Sequence, residues 1–546
     1  MKKMWKKVMT IILALVMTLG LGTSVQAAAL SGGENNNSTN VTITGLPADK
    51  TVTFTTYQVI KTNFNVAANE LTYQLPKWAQ DVLVIGGKTE DDVIAEISKL
   101  NTDGTSATEQ DNIVNQLAAA SKKTAYSATW TVSGDKTTAT ANLPIGSYLV
   151  MASCTDMTFL NMLVSVNAKA NTTDPNGWTL EGKGAVLKGN SLSVDKKITG
   201  KKGTAQAPIN ETTAAIGDTL SYTVTADVPH YPVNATHITF KVKDIPTNLE
   251  IKQNTVKVYG VKANGAETNL TDKFTPTLDN KGVLTVDMSS KYQTLFCDGG
   301  AYPYATVKIT YDAVLMESAS IATGNTNEPA LIYGTNPYTD SDGKIPGDGK
   351  QKVYTYGLNL TKRNSDNKVL PNAVFSVKFG TTKLKFIKDA TAKGTYTLAK
   401  DQNAAEATDQ LTTNDQGTFN IKGLDANVEY VLEETKAPSG YFRNHGSVAF
   451  TITPETNADG KLTGAIKSVA ANDEKGTALG NAGAWTCGID QTNTAYVAVT
   501  LKDTKIPFLP ATGGMGTVIF TIVGDALMIL AIVLFIRSRK GRKEDK

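Results

Sequence analysis

"YVLEETKAPSGY", residues 430–441, opens as an alternating strand in which Tyr430 and Leu432 share a face. The next residue on that face is Glu434, so an apolar stripe runs straight into a carboxyl. The pattern recurs twice in the same third of the chain. In "YGLNLTK", 356–362, Tyr356, Leu358 and Leu360 lead in phase to Lys362, and in "AYVAVTLKD", 495–503, Val497, Val499 and Leu501 lead to Asp503. Buried ionisable groups are costly unless paired, so these three are expected to meet in one core. A buried salt bridge of Lys362 with one carboxylate is one outcome. The other is covalent. An apolar core lowers a lysine's pKa, giving a neutral amine nucleophile, and keeps carboxyls protonated. A protonated Glu434 can then polarise a carbonyl and shuttle protons.

The segment 430–441 matches Y-x-L-x-E-T-x-A-P-x-G-Y at every specified place. This resembles the E-box of the CnaB-type domains of Gram-positive surface proteins. The resemblance implies an isopeptide bond between Lys362 and Asp503, promoted by Glu434. Asp stands where many such domains carry Asn, so the bond would expel water rather than ammonia.

Upstream, the same logic uses other residues. "SLSVDKKI" aligns Leu192, Val194, Lys196 and Ile198, so Lys196 points inward and Lys197 outward; "HITFKVKD" aligns Ile238, Phe240, Val242 and Asp244; "NEPALIY" aligns Asn327 with Leu331 and Tyr333. The set resembles the Lys–Asn–Asp arrangement in the middle domains of backbone pilins, implying a Lys196–Asn327 bond with Asp244 as the acid. Asn325 and then Lys197 are the competitors. His237 falls on the opposite face and is expected at the surface.

The chain ends set the compartment. Residues 1–27 carry four lysines, an apolar run and small residues around Val25-Gln26-Ala27, as a secretory signal peptide does. Near the other end, Leu509-Pro510-Ala511-Thr512-Gly513 precedes an apolar run, Met515 to Ile536, long enough to span a bilayer. A basic tail follows, holding that end in the cytoplasm. Asp525 interrupts the run, and a transient anchor tolerates one carboxyl. The order resembles a cell-wall sorting signal, which implies that a sortase cleaves between Thr512 and Gly513 and transfers the Thr512 carboxyl to an amine.

The whole chain of 546 residues has a formal charge of +3. The signal lysines and the basic tail account for more than that excess, so the exported segment is mildly acidic. Nucleic acid is therefore not an expected partner. Three scattered cysteines and three histidines, with no CxxC spacing or triad pattern, predict no disulfide framework, metal site, cofactor or hydrolase. The chain is not expected to be an enzyme.

About 485 exported residues suggest roughly three domains. Residues 28–187 mix strands with two short helices, "TEDDVIAEISKL" capped by Thr89 with Asp92, and "ATEQDNIVNQLAAA" capped by Thr108. Residues 188–340 read as an antiparallel sandwich of immunoglobulin-like size, 341–352 as a Gly/Asp-rich linker, 353–505 as a second sandwich, and 506–546 as the sorting signal with its membrane helix and tail. The expected fold is mainly β, in tandem Cna-type sandwiches, with an α+β N-terminal domain and a C-terminal transmembrane helix.

Taken together, these features resemble the backbone subunits of sortase-assembled pili. In that family a lysine near the end of the first domain joins the threonine of the previous subunit. The usual motif carries Trp upstream and ends in V-Y-P-K. "NGWTLEGKGAVLKGN" has Trp178, Val186 and Lys188 but Leu187 and no Tyr-Pro, so Lys188 is the expected linking residue and Lys183 the alternative. The implied partners are a pilus-class and a housekeeping sortase, other copies of the chain, accessory pilins and peptidoglycan, with no host ligand identified. A monomeric or accessory wall-anchored adhesin is the alternative reading; a wall-attached enzyme lacks a catalytic constellation.

Overall fold

A computed structural model describes residues 24–28, 30–34, 36–100, 107–170, 178–347, 349–479, 483–506 and 516–541. These build three strand-rich units in chain order and a terminal helix.

The first unit packs a seven-stranded sheet, centred on Thr53–Asn65, Gly146–Ser153 and Met162–Ala170, against a four-stranded sheet centred on Ser38–Thr44 and Thr138–Pro144. Ser24–Ala28 forms an edge strand on Trp178–Lys183, so the end of the expected leader is paired in the uncleaved chain. Three helices are inserted after Glu70–Gln74. The capping box is present: the Thr89 backbone N–H donates to the Asp92 carboxylate at 2.8 Å, and the Asp92 N–H donates to Thr89 Oγ1 at 3.2 Å. Val93, Ile97 and Leu100 of Glu90–Leu100 are buried. Two expectations change. Ala107–Ala119 begins before Thr108, so that residue lies inside the helix rather than capping it. A third helix, Lys77–Leu83, starts behind Pro76 and buries Trp78.

The middle unit is a sandwich. One sheet runs Thr204–Ile209, Val194–Lys201, Thr219–Asp227, Thr306–Leu315, Leu249–Val261, Glu267–Asn269. The facing sheet is built around Asn325–Gly334 and Phe240–Pro246. The stretch 341–352, expected as a linker, is not one. Asp342–Pro346 turns back along Asn325–Gly334, and Gln351–Tyr354 pairs with both Asn325–Asn327 and Glu211–Thr213. The neighbouring edge supplies pairing that the Gly/Asp-rich composition does not announce.

Only Thr355 separates this sheet from Tyr356–Asn364, the first strand of the C-terminal sandwich. The junction is packed. The Thr355 hydroxyl donates to Leu424 O at 3.0 Å, Ile216 N–H to Gly423 O at 3.0 Å, and Lys201 Nζ meets Asp425 at 2.6 Å. A Cβ on Gly423, which has φ +101°, would sit 2.6 Å from Ile216 Cδ1, so glycine is required where the two units touch. Apolar residues of both units form one continuous core.

In the C-terminal sandwich the first and last strands lie side by side and parallel, with Lys362 opposite Leu501 and Asn364 opposite Asp503. Glu429–Lys436 is in the facing sheet. Beyond it, the helix Gly516–Gly541 contains a span, Val518–Ser538, long and apolar enough to cross a membrane, with none of it buried against the rest of the chain.

Candidate crosslinking sites

The strands bring the three charged ends of the C-terminal stripes together. The side chains of Lys362, Glu434 and Asp503 are completely buried. Lys362 Nζ lies 3.1 Å from Glu434 Oε1 and meets Asp503 Oδ1. None of these contacts has hydrogen-bond geometry: the Lys362 amine, Glu434 Oε1 and both Asp503 oxygens lack a hydrogen-bond partner. Glu434 Oε2 accepts from the Asn444 N–H at 2.9 Å, which fixes the carboxyl. Burial pushes Glu434 above the usual carboxylate range, against the opposing pull of Lys362. The arrangement holds an amine against one carboxyl while a second carboxyl, whose burial favours the protonated form, lies beside the amine.

The middle unit sets its residues across the two sheets. Lys196 is buried on Val194–Lys201, with Nζ 2.6 and 2.7 Å from the two Asp244 oxygens. Burial lowers the lysine to about 8, even though Asp244 pulls the other way. Asn327 is fully buried on Asn325–Gly334, and its Nδ2 donates to the Tyr311 hydroxyl at 3.0 Å, while Tyr311 donates to Asp244 Oδ2. Asn327 Oδ1 has no hydrogen-bond partner.

The competitors are engaged elsewhere. Asn325 accepts from Asn248 Nδ2 and Ser320 N–H and donates to Ser320 O and Val353 O, the full complement of a structural amide. Lys197 points outward to Asp195 at 2.9 Å. His237 lies at the surface beside Asp340.

Two residues of this site escaped sequence reasoning. Gln351 is buried opposite Asn327 and donates to the Lys196 carbonyl at 2.8 Å, fixing that strand from the facing sheet. Tyr311 lies on the stripe Val307, Ile309, Tyr311, Ala313, where a tyrosine reads as ordinary core.

Lys188 is exposed at the boundary of the first two units, where its backbone O accepts from Leu160 N–H at 3.0 Å. Lys183 is half-buried on the strand Trp178–Lys183. Leu509, Pro510, Ala511, Thr512 and Gly513 lie outside the described residues.

Two family models match: a prealbumin-like fold domain over residues 357–466, which contains Lys362 and Glu434, and the LPXTG cell wall anchor motif over 502–546. The trypsin-resistant surface T6 protein of Streptococcus pyogenes serotype M6 is 25% identical over 414 residues, covering 66% of this chain and 71% of that protein. The chain is a homologue of Gram-positive backbone pilins. The structure of the T6 backbone pilin of the same organism, described as modular and three-domain, superposes with a TM-score of 0.54 at 18% identity, over 86% of this chain and 99% of that one. The major pilin SpaD of Corynebacterium diphtheriae matches at a TM-score of 0.45 and 18% identity, over 88% and 98%. With its matched anchor motif and the apolar helix behind it, this pilin homologue is a cell-wall-anchored surface protein.

Proposed function

We propose that the chain is the repeating subunit of a covalent pilus, clamped internally by two isopeptide bonds. The observation that carries the reading is the buried meeting of Lys362 on the first strand of the C-terminal sandwich with Asp503 on its last strand, directly before the anchor. A bond there ties the end that leaves for the sorting signal to the end that enters from the middle unit. Lys196, Asn327 and Asp244 supply the same device one domain earlier. Amide formation from Lys362 and Asp503 expels water, and from Lys196 and Asn327 ammonia.

Between subunits, a pilus-class sortase cleaves after Thr512 and transfers its carbonyl to Lys188 of the next copy, with Gly513 and the membrane helix leaving. A housekeeping sortase and peptidoglycan serve the terminal attachment, and accessory pilins join the same shaft. The related T6 protein is described as trypsin-resistant, a property that internal clamps would confer here too.

The test is a denaturing gel of wall extracts. Wild-type cells should show a ladder of polymers. Thr512→Ala should abolish the ladder and leave the chain in the membrane fraction; release of that variant by muramidase, as for wild type, would disprove the assigned cleavage site.

A further inference from the structure

In the middle domain the reacting groups are not arranged as in the C-terminal one. In the C-terminal sandwich the amine meets both the acid, Glu434, and the acceptor, Asp503. In the middle sandwich Asp244 holds the Lys196 amine, but the leaving nitrogen of Asn327 is hydrogen-bonded to Tyr311. Tyr311 bridges the two by donating to Asp244 Oδ2. Its ring is fixed by stacking on Tyr222, with centroids 5.5 Å apart and planes 17° apart, and Lys196 Nζ sits over both rings, 4.6 Å from Tyr222 and 5.3 Å from Tyr311.

We infer that Tyr311 is a catalytic residue of the Lys196–Asn327 crosslink, relaying the proton from Asp244 to the departing amide nitrogen. The inference rests on the crosslink proposed above. The balance is as follows. Lys196 passes one ammonium proton to Asp244, leaving a neutral amine and a carboxyl protonated on Oδ2. The amine attacks Asn327 Cγ. As the Cγ–Nδ2 bond breaks, Tyr311 gives its hydroxyl proton to Nδ2 and takes the Oδ2 proton of Asp244, while Asp244 Oδ1 takes the second proton from Nζ. The products are the secondary amide, ammonia, an intact Tyr311 and a protonated Asp244. No oxidant or cofactor is needed.

Two further features fit this role. Asn327 Oδ1 is buried without a partner, an expensive arrangement in a settled core. The Tyr311 hydroxyl is the group that rotation of the amide would bring to that oxygen, so the same residue can polarise the carbonyl during attack. Burial and the adjacent Asp244 push the phenol far above its ordinary range, so it stays protonated and works as a relay rather than as a stored base.

The experiment follows the full exported chain after cell-free synthesis by timed intact-mass spectrometry, with peptide mapping of the Lys196–Asn327 link. Wild type should lose one ammonia soon after folding. Tyr311→Phe keeps the stacked ring and should lose it at least about 100-fold more slowly, the lower range for a missing general acid–base group. Tyr356→Phe removes a buried hydroxyl that has no hydrogen-bond partner, away from Lys196 and Asn327, and should react like wild type. Near-ultraviolet circular dichroism and trypsin resistance report folding of each variant. Ammonia loss from Tyr311→Phe at the wild-type rate overturns the relay, as does equal slowing in folded Tyr356→Phe, which would assign the effect to the loss of any buried hydroxyl from the core. A wild-type chain that never loses ammonia instead removes the crosslink itself.

Discussion

Lys362 meets Asp503 across two parallel neighbouring strands, so the first and last strands of the C-terminal sandwich touch through their side chains as well as through their backbones. Leaving such a group of charges buried is weak stabilisation at best, because desolvation offsets their attraction. Joining amine to carboxyl removes one positive and one negative charge from the core at once.

The mature protein should therefore be lighter than its sequence mass by one water and one ammonia. Glu434→Ala should restore the water and lower thermal stability. The bond closes a loop of about 140 residues, which the chain-entropy treatment used for disulfides values at roughly 5 kcal/mol. Intact mass and calorimetry on the same samples check both parts; an unchanged mass deficit in Glu434→Ala would remove that residue from the reaction.

A second expectation concerns pH. In Asn327→Ala the crosslink cannot form, and Lys196 stays a free amine whose pKa is lowered to about 8 by burial. The unfolded chain then binds more protons than the folded one between about pH 8 and the ordinary lysine pKa near 10.4. Stability should rise with pH across that window, by on the order of 3 kcal/mol, and the contribution should be absent below it. Comparing Asn327→Ala with Asn327→Ala/Lys196→Met by urea unfolding isolates the lysine from the tyrosines that titrate nearby. A difference that stays flat with pH would show that Lys196 is not desolvated.

These sites were legible in the sequence to different degrees, for physical reasons. Lys362, Glu434 and Asp503 each end a period-two stripe, and a charge in phase with a core face stands out. Lys196 and Asp244 stood out in the same way. Tyr311 did not, because its ring belongs in a core and its hydroxyl finds Asp244 only through pairing of distant strands. The strand Asp342–Pro346 was illegible for a related reason: its Gly/Asp-rich surroundings carry little alternation, and the edge of Asn325–Gly334 holds it in place. Residues 353 and 354 were read as opening the second sandwich, whereas Gln351–Tyr354 pairs within the middle one.

The linking lysine gives a third expectation. Lys188 is exposed beside the short strand Gly189–Ser191, which pairs with Met157–Phe159. Lys188→Ala should abolish the polymer ladder while leaving both internal mass losses intact. Lys183→Ala should leave the ladder unchanged. The reverse pattern would move the linkage to Lys183.

The last expectation concerns force. If Thr512 of one copy is joined to Lys188 of the next, tension enters each subunit at Lys188 and leaves at Thr512, and residues 28–187 lie outside the covalent path. Within the path, Lys196–Asn327 carries tension across the middle sandwich and Lys362–Asp503 across the C-terminal one, so neither sandwich can be peeled open. The unclamped stretch runs from Asn327 to Lys362. Sequence composition suggested a compliant linker there, but about two thirds of the stretch is held in strands, with only Thr355 between the last strand of one unit and the first of the next. Beyond its turns it lengthens by stripping Asp342–Pro346 and Gln351–Tyr354 from their partners, and even with 328–334 and 356–361 stripped as well about 34 residues release at most roughly 120 Å. Single-molecule pulling by Lys188 and Thr512 should therefore show a stiff subunit with one short extension event at most. Lys196→Ala and Lys362→Ala should each add one long event, because their sandwiches then resist only through hydrogen-bonded strands with ordinary unfolding barriers. Long extensions from both sandwiches in the unmutated chain would mean that the clamps are absent. A soft, gradual lengthening at low force would mean that the junction strands do not hold.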